Sequence, residues 1–172
     1  GIIADWAAKN RALMVHYSTD YVFDGTKDRP WTEEDKPDPL NVYGESKLAG
    51  DINIQNSGCN HFIFRTSWVY GARGKNFYLT MKKLLQEKDE LRIVDDQFGA
   101  PTWCRTIAET TAQVISQIQS PLFSVDTKKL FGIYNLTNSG MTTWFRFTET
   151  IKHYMLEEFS NREKYAELYP IP

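Results

Sequence analysis

Several features that mark other classes of protein are scarce or absent in this chain of 172 residues. The only two cysteines, Cys59 and Cys104, lie far apart and belong to no Cys-x-x-Cys or Cys/His cluster. This disfavours a zinc site or a disulfide scaffold and favours reduced thiols in the cytoplasm. No apolar run approaches the roughly 20 residues that a membrane-spanning helix needs. We therefore expect a cytoplasmic protein with no membrane partner.

Charge of one sign is not in excess either. The formal net charge is −2, with acidic and basic residues interspersed along the chain. This pattern offers no basic stripe for nucleic acid and no polybasic segment for a membrane surface. Hydrophobic residues make up 41% of the chain and aromatic residues 14%, which is enough for a packed core.

A glycine-rich phosphate-binding turn is also missing. None of the ten glycines forms Gly-x-Gly-x-x-Gly, the turn that lets backbone approach a pyrophosphate in dinucleotide-binding domains. The first residues, "GIIADWAAKN", place Ile3, Trp6 and Ala7 at helical spacing. We expect a helix here, and we expect the chain to begin within a domain.

The remaining pattern alternates strands with helices. Strands are predicted at 13–17, 62–70, 91–94 and 131–136, and helices at 39–57, 76–88, 106–119 and 142–159. Such alternation predicts parallel strands joined by right-handed crossovers, which is a doubly wound α/β sheet.

The segment "STDYVFDG", residues 18–25, follows the first predicted strand. Ligands of doubly wound sheets bind outside the carboxyl ends of the strands, where this segment would lie. Ser, Thr and Asp are also ordinary turn formers, so a plain strand-to-loop junction remains an alternative.

The segment "VYGESKLAG" places Tyr43 and Lys47 four residues apart. Asp38 followed by Pro39 predicts an N-cap and a helix over 39–57, with Leu48 and Ile52 on its buried stripe. Residues four apart lie on one helical face, so the Tyr43 and Lys47 side chains should be neighbours.

A lysine ammonium beside a tyrosine hydroxyl favours the phenolate, and such a pair is suited to general acid–base catalysis. A hydroxyl from Thr19, or less favourably Ser18, would hold a substrate oxygen. A second pair of the same spacing, Tyr78 and Lys82, lies in an amphipathic pattern and is interpreted as an ordinary helix face.

In this order and spacing, "HYSTDYVFDG", "PLNVYGESKLAG", "FRTSWVYG" and "DQFGAPT" resemble the dTDP-4-dehydrorhamnose reductase family of extended short-chain dehydrogenase/reductases. The resemblance runs over nearly the whole chain and weakens after about residue 150. It implies reduction of the C4 keto group of a dTDP-sugar by NADPH or NADH.

The resemblance also assigns roles to individual residues. Tyr43 would be the catalytic proton donor, Lys47 its partner and Thr19 the catalytic hydroxyl, with Tyr43 and Lys47 also meeting the cofactor. Thr19 would contact the substrate as well. The other implied substrate contacts are Asp20, Tyr21, Trp68 and Gln97. A tryptophan that only fills the core remains an alternative for Trp68, and a plain turn remains one for Gln97.

The implied fold is an incomplete Rossmann-like doubly wound parallel sheet with a smaller substrate-binding part. Residues 1–70 would be the C-terminal half of the NAD(P)-binding domain and carry the catalytic residues. Residues 71–172 would be mostly substrate-binding, with helices returning to the sheet. In the family, the main cofactor-binding half precedes the point where this chain starts and a final segment follows its end. We therefore expect the isolated chain to be inactive.

Three further expectations concern metals, assembly and alternatives. Some family members hold magnesium through acidic side chains at a dimer contact, but Arg105 stands where an acid would be expected, so no metal is predicted. A homodimer is left open. A non-catalytic subunit like the regulatory subunit of methionine adenosyltransferase, or another nucleotide-sugar reductase or epimerase, remains an alternative function.

Overall fold

The computed structural model describes residues 1–120, 126–158 and 164–172, which form five α-helices and nine strands. The helices are α1 (Ile2–Asn10), α2 (Val42–Ser57), α3 (Phe77–Glu87), α4 (Cys104–Gln119) and α5 (Trp144–Glu158). The strands are β1 (Met14–Thr19), β2 (His61–Thr66), β3 (Val69–Tyr70), β4 (Glu90–Val94), β5 (Phe98–Gly99), β6 (Thr102–Trp103), β7 (Gly132–Asn135), β8 (Thr142–Thr143) and β9 (Glu167–Ile171).

The chain divides into two units. Unit 1 consists of Gly1–Ser67 and Thr110–Leu136, and unit 2 consists of Trp68–Glu109 and Thr137–Pro172. The functional division predicted at residue 70, between a catalytic and a substrate-binding part, remains a prediction.

Unit 1 is built on a parallel sheet in the order β1-β2-β7. Helix α2 connects β1 to β2, whose residues pair in register from Met14 opposite His61 to Thr19 opposite Thr66. Helices α1 and α2 pack on this sheet through a small apolar core, formed by Ala4, Ala7, Ile54, Cys59 and Ile63. The predicted α/β class with parallel strands is confirmed.

Unit 2 has a core of its own. Helices α3 and α5 pack beside β4 and β9, which pair in parallel. The buried residues of this core are Met81, Leu85, Ile93, Ile151, Met155, Tyr165 and Ala166. Strand β9 is an element that the sequence pattern did not predict.

Helix α2 begins later than predicted. Asn41, not Asp38, is its N-cap, and the Asn41 side chain accepts a hydrogen bond from Gly44 N at 2.8 Å. The predicted buried stripe is also wrong, because Ile52 is exposed and Leu48 only partly buried. The fully buried helix positions are Gly44, Asp51 and Ile54. The helix turns a polar face inward because that face finds charged and hydrogen-bonding partners there.

The strand predicted over 62–70 is two strands. Strand β2 ends at Thr66, and Trp68 then takes a left-handed φ of 45°, after which β3 pairs with β6 instead. The other long predicted elements are confirmed to within a few residues, and residue 159, the predicted end of the last helix, lies outside the described residues. Within the described ranges, no helix combines the length and apolarity that crossing a bilayer requires.

Candidate active site

The predicted hydroxyl residues lie at the carboxyl end of β1. Ser18 and Thr19 are both buried, and Thr19 pairs in register with Thr66 of β2. The Thr19 side chain caps a short 3-10 helix, Asp20–Val22, by accepting a hydrogen bond from Tyr21 N at 3.2 Å. The sheet edge therefore presents a hydroxyl that is already held in place by the turn after it.

Asp20 is the hydrogen-bond partner of that hydroxyl. Thr19 Oγ1 donates to Asp20 Oδ1 at 3.1 Å. Burial raises the pKa of the Asp20 carboxyl, and the bond from Thr19 partly offsets this effect. Asp20 thus holds its proton to a higher pH than an exposed aspartate does.

Tyr43 lies in the first turn of α2 and is 56% exposed. Its ring meets the ring of Tyr21 edge-on, with centroids 5.8 Å apart. Within the part of the chain that the structure describes, the Tyr43 hydroxyl makes no hydrogen bond. The phenol is oriented by a neighbouring aromatic ring and keeps its hydroxyl available to a ligand.

Gly44 allows α2 to approach the end of β1 closely. A Cβ at this position would lie 2.2 Å from the carbonyl oxygen of Tyr21 and 2.9 Å from Pro39 Cβ. Only glycine can therefore occupy this first-turn position while Tyr21 and Tyr43 stay in contact.

Lys47 points toward β1. Its Nζ donates a hydrogen bond to the Tyr17 carbonyl oxygen at 2.5 Å and lies 3.4 Å from His16 Nε2. The spacing of four residues puts Lys47 one turn after Tyr43 on the same helix, as predicted. The ammonium is thereby fixed to the backbone of the strand that carries Thr19.

A buried ionic network lies next to Lys47. Asp51 is fully buried, and its Oδ2 accepts hydrogen bonds from Ser18 Oγ at 2.9 Å and from Arg65 Nε at 3.3 Å. The Arg65 guanidinium also lies over the Phe23 ring, 5.2 Å from its centre. The network connects α2 to β1 and β2, and it makes Ser18 a structural partner of Asp51.

Two predicted substrate residues, Trp68 and Gln97, belong to unit 2. Trp68 stacks on Trp144, with centroids 3.4 Å apart and planes at 8°, and packs so closely on Gly99 that a Cβ there would lie 2.3 Å from the indole. Gln97 is exposed in the loop between β4 and β5. Trp68 is therefore held rigidly, whereas Gln97 stands free of the core.

Metal ligands do not gather in the part of the chain that the structure describes. No three side chains of His, Cys, Asp or Glu come together there as a candidate metal group. The expectation of a protein without a metal stays a prediction.

Comparison with known proteins places this chain in a family. The sequence profile of the RmlD substrate binding domain matches residues 1–172. The chain belongs to this family. The dTDP-4-dehydrorhamnose reductase of Burkholderia thailandensis is 44% identical over 151 residues, which are 88% of this chain and 50% of that protein. The resemblance to these reductases is confirmed, and the chain spans about half the length of the curated relatives that it matches.

Solved structures support the same assignment. A dTDP-4-dehydrorhamnose reductase of Clostridium acetobutylicum matches with a TM-score of 0.82 and 32% identity. One from Bacillus anthracis, solved in complex with NADP, matches with a TM-score of 0.77 and 33% identity. Each match covers 98% of this chain and 54% of the other protein. The chain shares the Rossmann-like α/β fold of these solved reductases.

Sequence reasoning missed part of the site in this RmlD substrate binding domain. Asp51 lies four residues after Lys47 and Arg65 interrupts an apolar strand, and either feature could have signalled a buried ion pair. His16 was not among the predicted site residues. Gly44, a poor helix former in the first turn of a helix, was a signal of close approach.

Proposed function

We propose that the protein containing this chain reduces the C4 keto group of dTDP-4-dehydro-L-rhamnose to the alcohol of dTDP-L-rhamnose. The observation that carries the proposal is the exposed phenol of Tyr43, whose ring meets the ring of Tyr21 edge-on. Tyr21 directly follows Thr19 and Asp20 at the carboxyl end of β1. Membership of the RmlD substrate binding domain family supports the choice of substrate.

Tyr43 is the proposed proton donor. Hydride addition to C4 turns the carbonyl oxygen into an alkoxide, and Tyr43 transfers its hydroxyl proton to that oxygen, so that the product is a neutral alcohol. The phenol suits this role because its hydroxyl has no competing partner among the described residues. The edge-on contact with Tyr21 restricts the orientation of the Tyr43 ring.

Thr19 is the proposed contact to the same oxygen. Its hydroxyl proton is donated to Asp20 in the free protein, so it must turn toward the substrate when the sugar binds. Asp20 and Tyr21 complete the proposed sugar-facing surface.

The described residues suit NADPH or NADH as the reductant. An ammonium has three N–H donors, and Lys47 uses one on Tyr17 O and can use a second on His16, which leaves a third for a ribose hydroxyl. Lys47 and Tyr43 would hold the nicotinamide ribose. When bound, the reduced nicotinamide supplies the hydride. Support comes from the Bacillus anthracis relative, which was solved with NADP.

Two further parts of the proposal extend beyond unit 1. Trp68 and Gln97 are proposed contacts to the nucleotide sugar, supported by the resemblance of "RTSWVYG" and "DQFGAPT" to the reductases. A cytoplasmic site of action is proposed as well, because Cys59 and Cys104 are free thiols, as expected in a reducing compartment.

The test is turnover by the protein expressed from its complete reading frame. Oxidation of NADPH and of NADH is followed with dTDP-4-dehydro-L-rhamnose for the unmodified protein and for Tyr43→Phe. We expect kcat to fall by about 10²- to 10⁴-fold, because the variant loses the proton donor. Tyr78→Phe is the matched control, since Tyr78 has the same spacing to Lys82 but lies on α3, and its turnover should not change.

The outcomes separate the candidate functions. Equal loss in both variants, or none in Tyr43→Phe, would contradict the role of Tyr43. No turnover by a folded protein that binds the nucleotide sugar or a partner enzyme would favour the non-catalytic subunit. Turnover confined to another nucleotide sugar would favour a different reductase or epimerase.

A further inference from the structure

A histidine that the proposed reaction does not use stands between Lys47 and the buried ionic network. We call His16, Ser18, Lys47, Asp51 and Arg65 the His16 cluster. His16 is half-buried on β1, and its Nε2 lies 3.4 Å from Lys47 Nζ and 3.6 Å from Asp51 Oδ1. One ring nitrogen thus faces both a cation and an anion.

Only one of the two carboxylate oxygens of Asp51 has hydrogen-bond partners. Its Oδ2 accepts from Ser18 and Arg65, whereas its Oδ1 is buried and has no hydrogen-bond partner among the described residues. A buried carboxylate oxygen without a donor is energetically costly. The 3.6 Å separation means that a small turn of the His16 ring would supply the missing donor.

Lys47 and Asp51 favour opposite protonation states of His16 Nε2. An unprotonated Nε2 can accept a hydrogen bond from Lys47, and a protonated Nε2 can donate to Asp51, but it cannot do both at once. The choice between Lys47 and Asp51 is therefore the protonation state of this one nitrogen.

The surroundings favour the neutral ring at neutral pH. Burial lowers the pKa of His16, the Lys47 charge lowers it further, and Asp51 raises it. Both charged groups come from α2, where Gly50 adds no charge, and on the neighbouring strand the residue paired with His16 is the apolar Ile63. Arg65 directs its charge to Asp51.

We propose that His16 is a positioning residue for the Tyr43–Lys47 pair. As the neutral tautomer whose Nε2 accepts, it holds Lys47 Nζ together with the Tyr17 carbonyl; on protonation it turns to Asp51, and Lys47 keeps only the Tyr17 contact. The inference rests on the proposed function, because Lys47 matters to turnover only as the partner of Tyr43. It adds a pH-dependent control of Lys47 at a residue outside the predicted site.

The first test is the pH profile of kcat in the protein from its complete reading frame. We expect unmodified protein to lose activity as the pH falls below the ordinary histidine value of about 6.5. His16→Leu should lower kcat about tenfold to a hundredfold, leave KM for the sugar within about twofold and abolish the acid limb. His16→Gln, whose amide oxygen can accept from Lys47, should recover most of kcat and also lack the acid limb.

A control and a contrary result accompany this test. His153→Leu makes the same change at an exposed histidine of α5 and should leave rate and profile unchanged. If the profiles of His16→Leu and His16→Gln run parallel to that of the unmodified protein, His16 only fills space and the inference is wrong.

The second test needs no turnover. The ¹⁵N signals of the His16 ring are titrated in the same protein, in Lys47→Met and in Asp51→Asn. We expect the His16 pKa to rise in Lys47→Met, which removes a like charge, and to fall in Asp51→Asn, which removes the opposite one. An inactive protein whose His16 titration follows Lys47 refutes the proposed function but supports the contact. If the protein is active but the His16 pKa is the same in Lys47→Met as in the unmodified protein, the inference is wrong.

Discussion

At the scale of single residues, the candidate site depends on groups too small or too buried to attract notice in the sequence. Gly44 lies so close to Tyr21 that a methyl group at Cα would overlap its carbonyl oxygen. Asp51 contributes one carboxylate that connects α2 to both neighbouring strands. Gly44 and Asp51 thereby fix the position of α2, which carries the predicted catalytic residues Tyr43 and Lys47.

Gly44→Ala should destabilise the protein, whereas Gly50→Ala should not. The new Cβ at Gly44 would lie 2.2 Å from Tyr21 O, and relieving that overlap is expected to cost about 1–3 kcal/mol. At Gly50 the nearest atom, His16 Nε2, would be 3.7 Å away, so alanine should be neutral or stabilise the helix by up to about 1 kcal/mol. Urea unfolding measures both variants. Equal effects of the two substitutions would refute the close approach of α2.

At the scale of elements, the start of α2 decides how Tyr43 is presented. The Asp38–Pro39 pair has the composition of a helix start, yet Asn41 accepts the capping hydrogen bond. Asp38 instead serves the loop, where its backbone N–H donates to the Val22 carbonyl at 2.9 Å. The helix therefore begins one residue before Tyr43.

Asn41→Ala should cost about 1 kcal/mol of unfolding free energy, because it removes the cap of α2. Asp38→Ala should change it by less than about 0.5 kcal/mol, since this exposed side chain caps nothing in the structure. Thermal or urea unfolding distinguishes them. If Asp38→Ala lowered the unfolding free energy more than Asn41→Ala does, Asp38 would be the N-cap, as the sequence pattern predicted.

At the scale of the whole molecule, each unit has its own core, and the acidic loop of residues 24–38 is fastened within unit 1. Trp31 stacks on Phe23, with centroids 4.5 Å apart, and its carbonyl accepts from Asn135 Nδ2 on β7. Asp35 closes the loop on itself by accepting from Lys27 Nζ and from Thr32. The loop thereby connects the end of β1 to the edge strand β7.

Acid should loosen this loop only at a pH below that at which ordinary surface carboxylates take up their protons. The bond from Lys27 is the main cause that lowers the pKa of Asp35 to about 2, so its stabilising effect is complete above the ordinary value of 3.8 and is lost as the pH falls toward 2. We expect Asp35→Asn to be less stable than the unmodified protein above about pH 4 and equal to it near pH 2. Urea unfolding at several pH values tests this, with Glu34→Gln as the exposed control on the same loop. A difference that persists undiminished at pH 2 would contradict it.

The extent to which the site was predictable differs between its residues. Strand β1, helix α2 and the Tyr43–Lys47 spacing follow from local patterns, so the sequence predicted them to within a few residues. The cap at Asn41 and the inward face of α2 were predicted wrongly, because large apolar side chains were assumed to face the core. Trp68 was expected within a strand over 62–70, but its left-handed φ redirects the chain there. The roles of the predicted site residues stay predictions.

The sequence by itself determined the α/β class, the family and the order of the motifs, because periodicity and motif spacing are properties of neighbouring residues. Only the tertiary structure decided that Asp51 finds Ser18 and Arg65, and that His16 stands between Lys47 and Asp51. These partners are 14 to 35 residues apart, and they meet because parallel pairing of β1 with β2 and the return of α2 onto the sheet bring them together. Burial then makes each such contact strong enough to set the direction of a helix face.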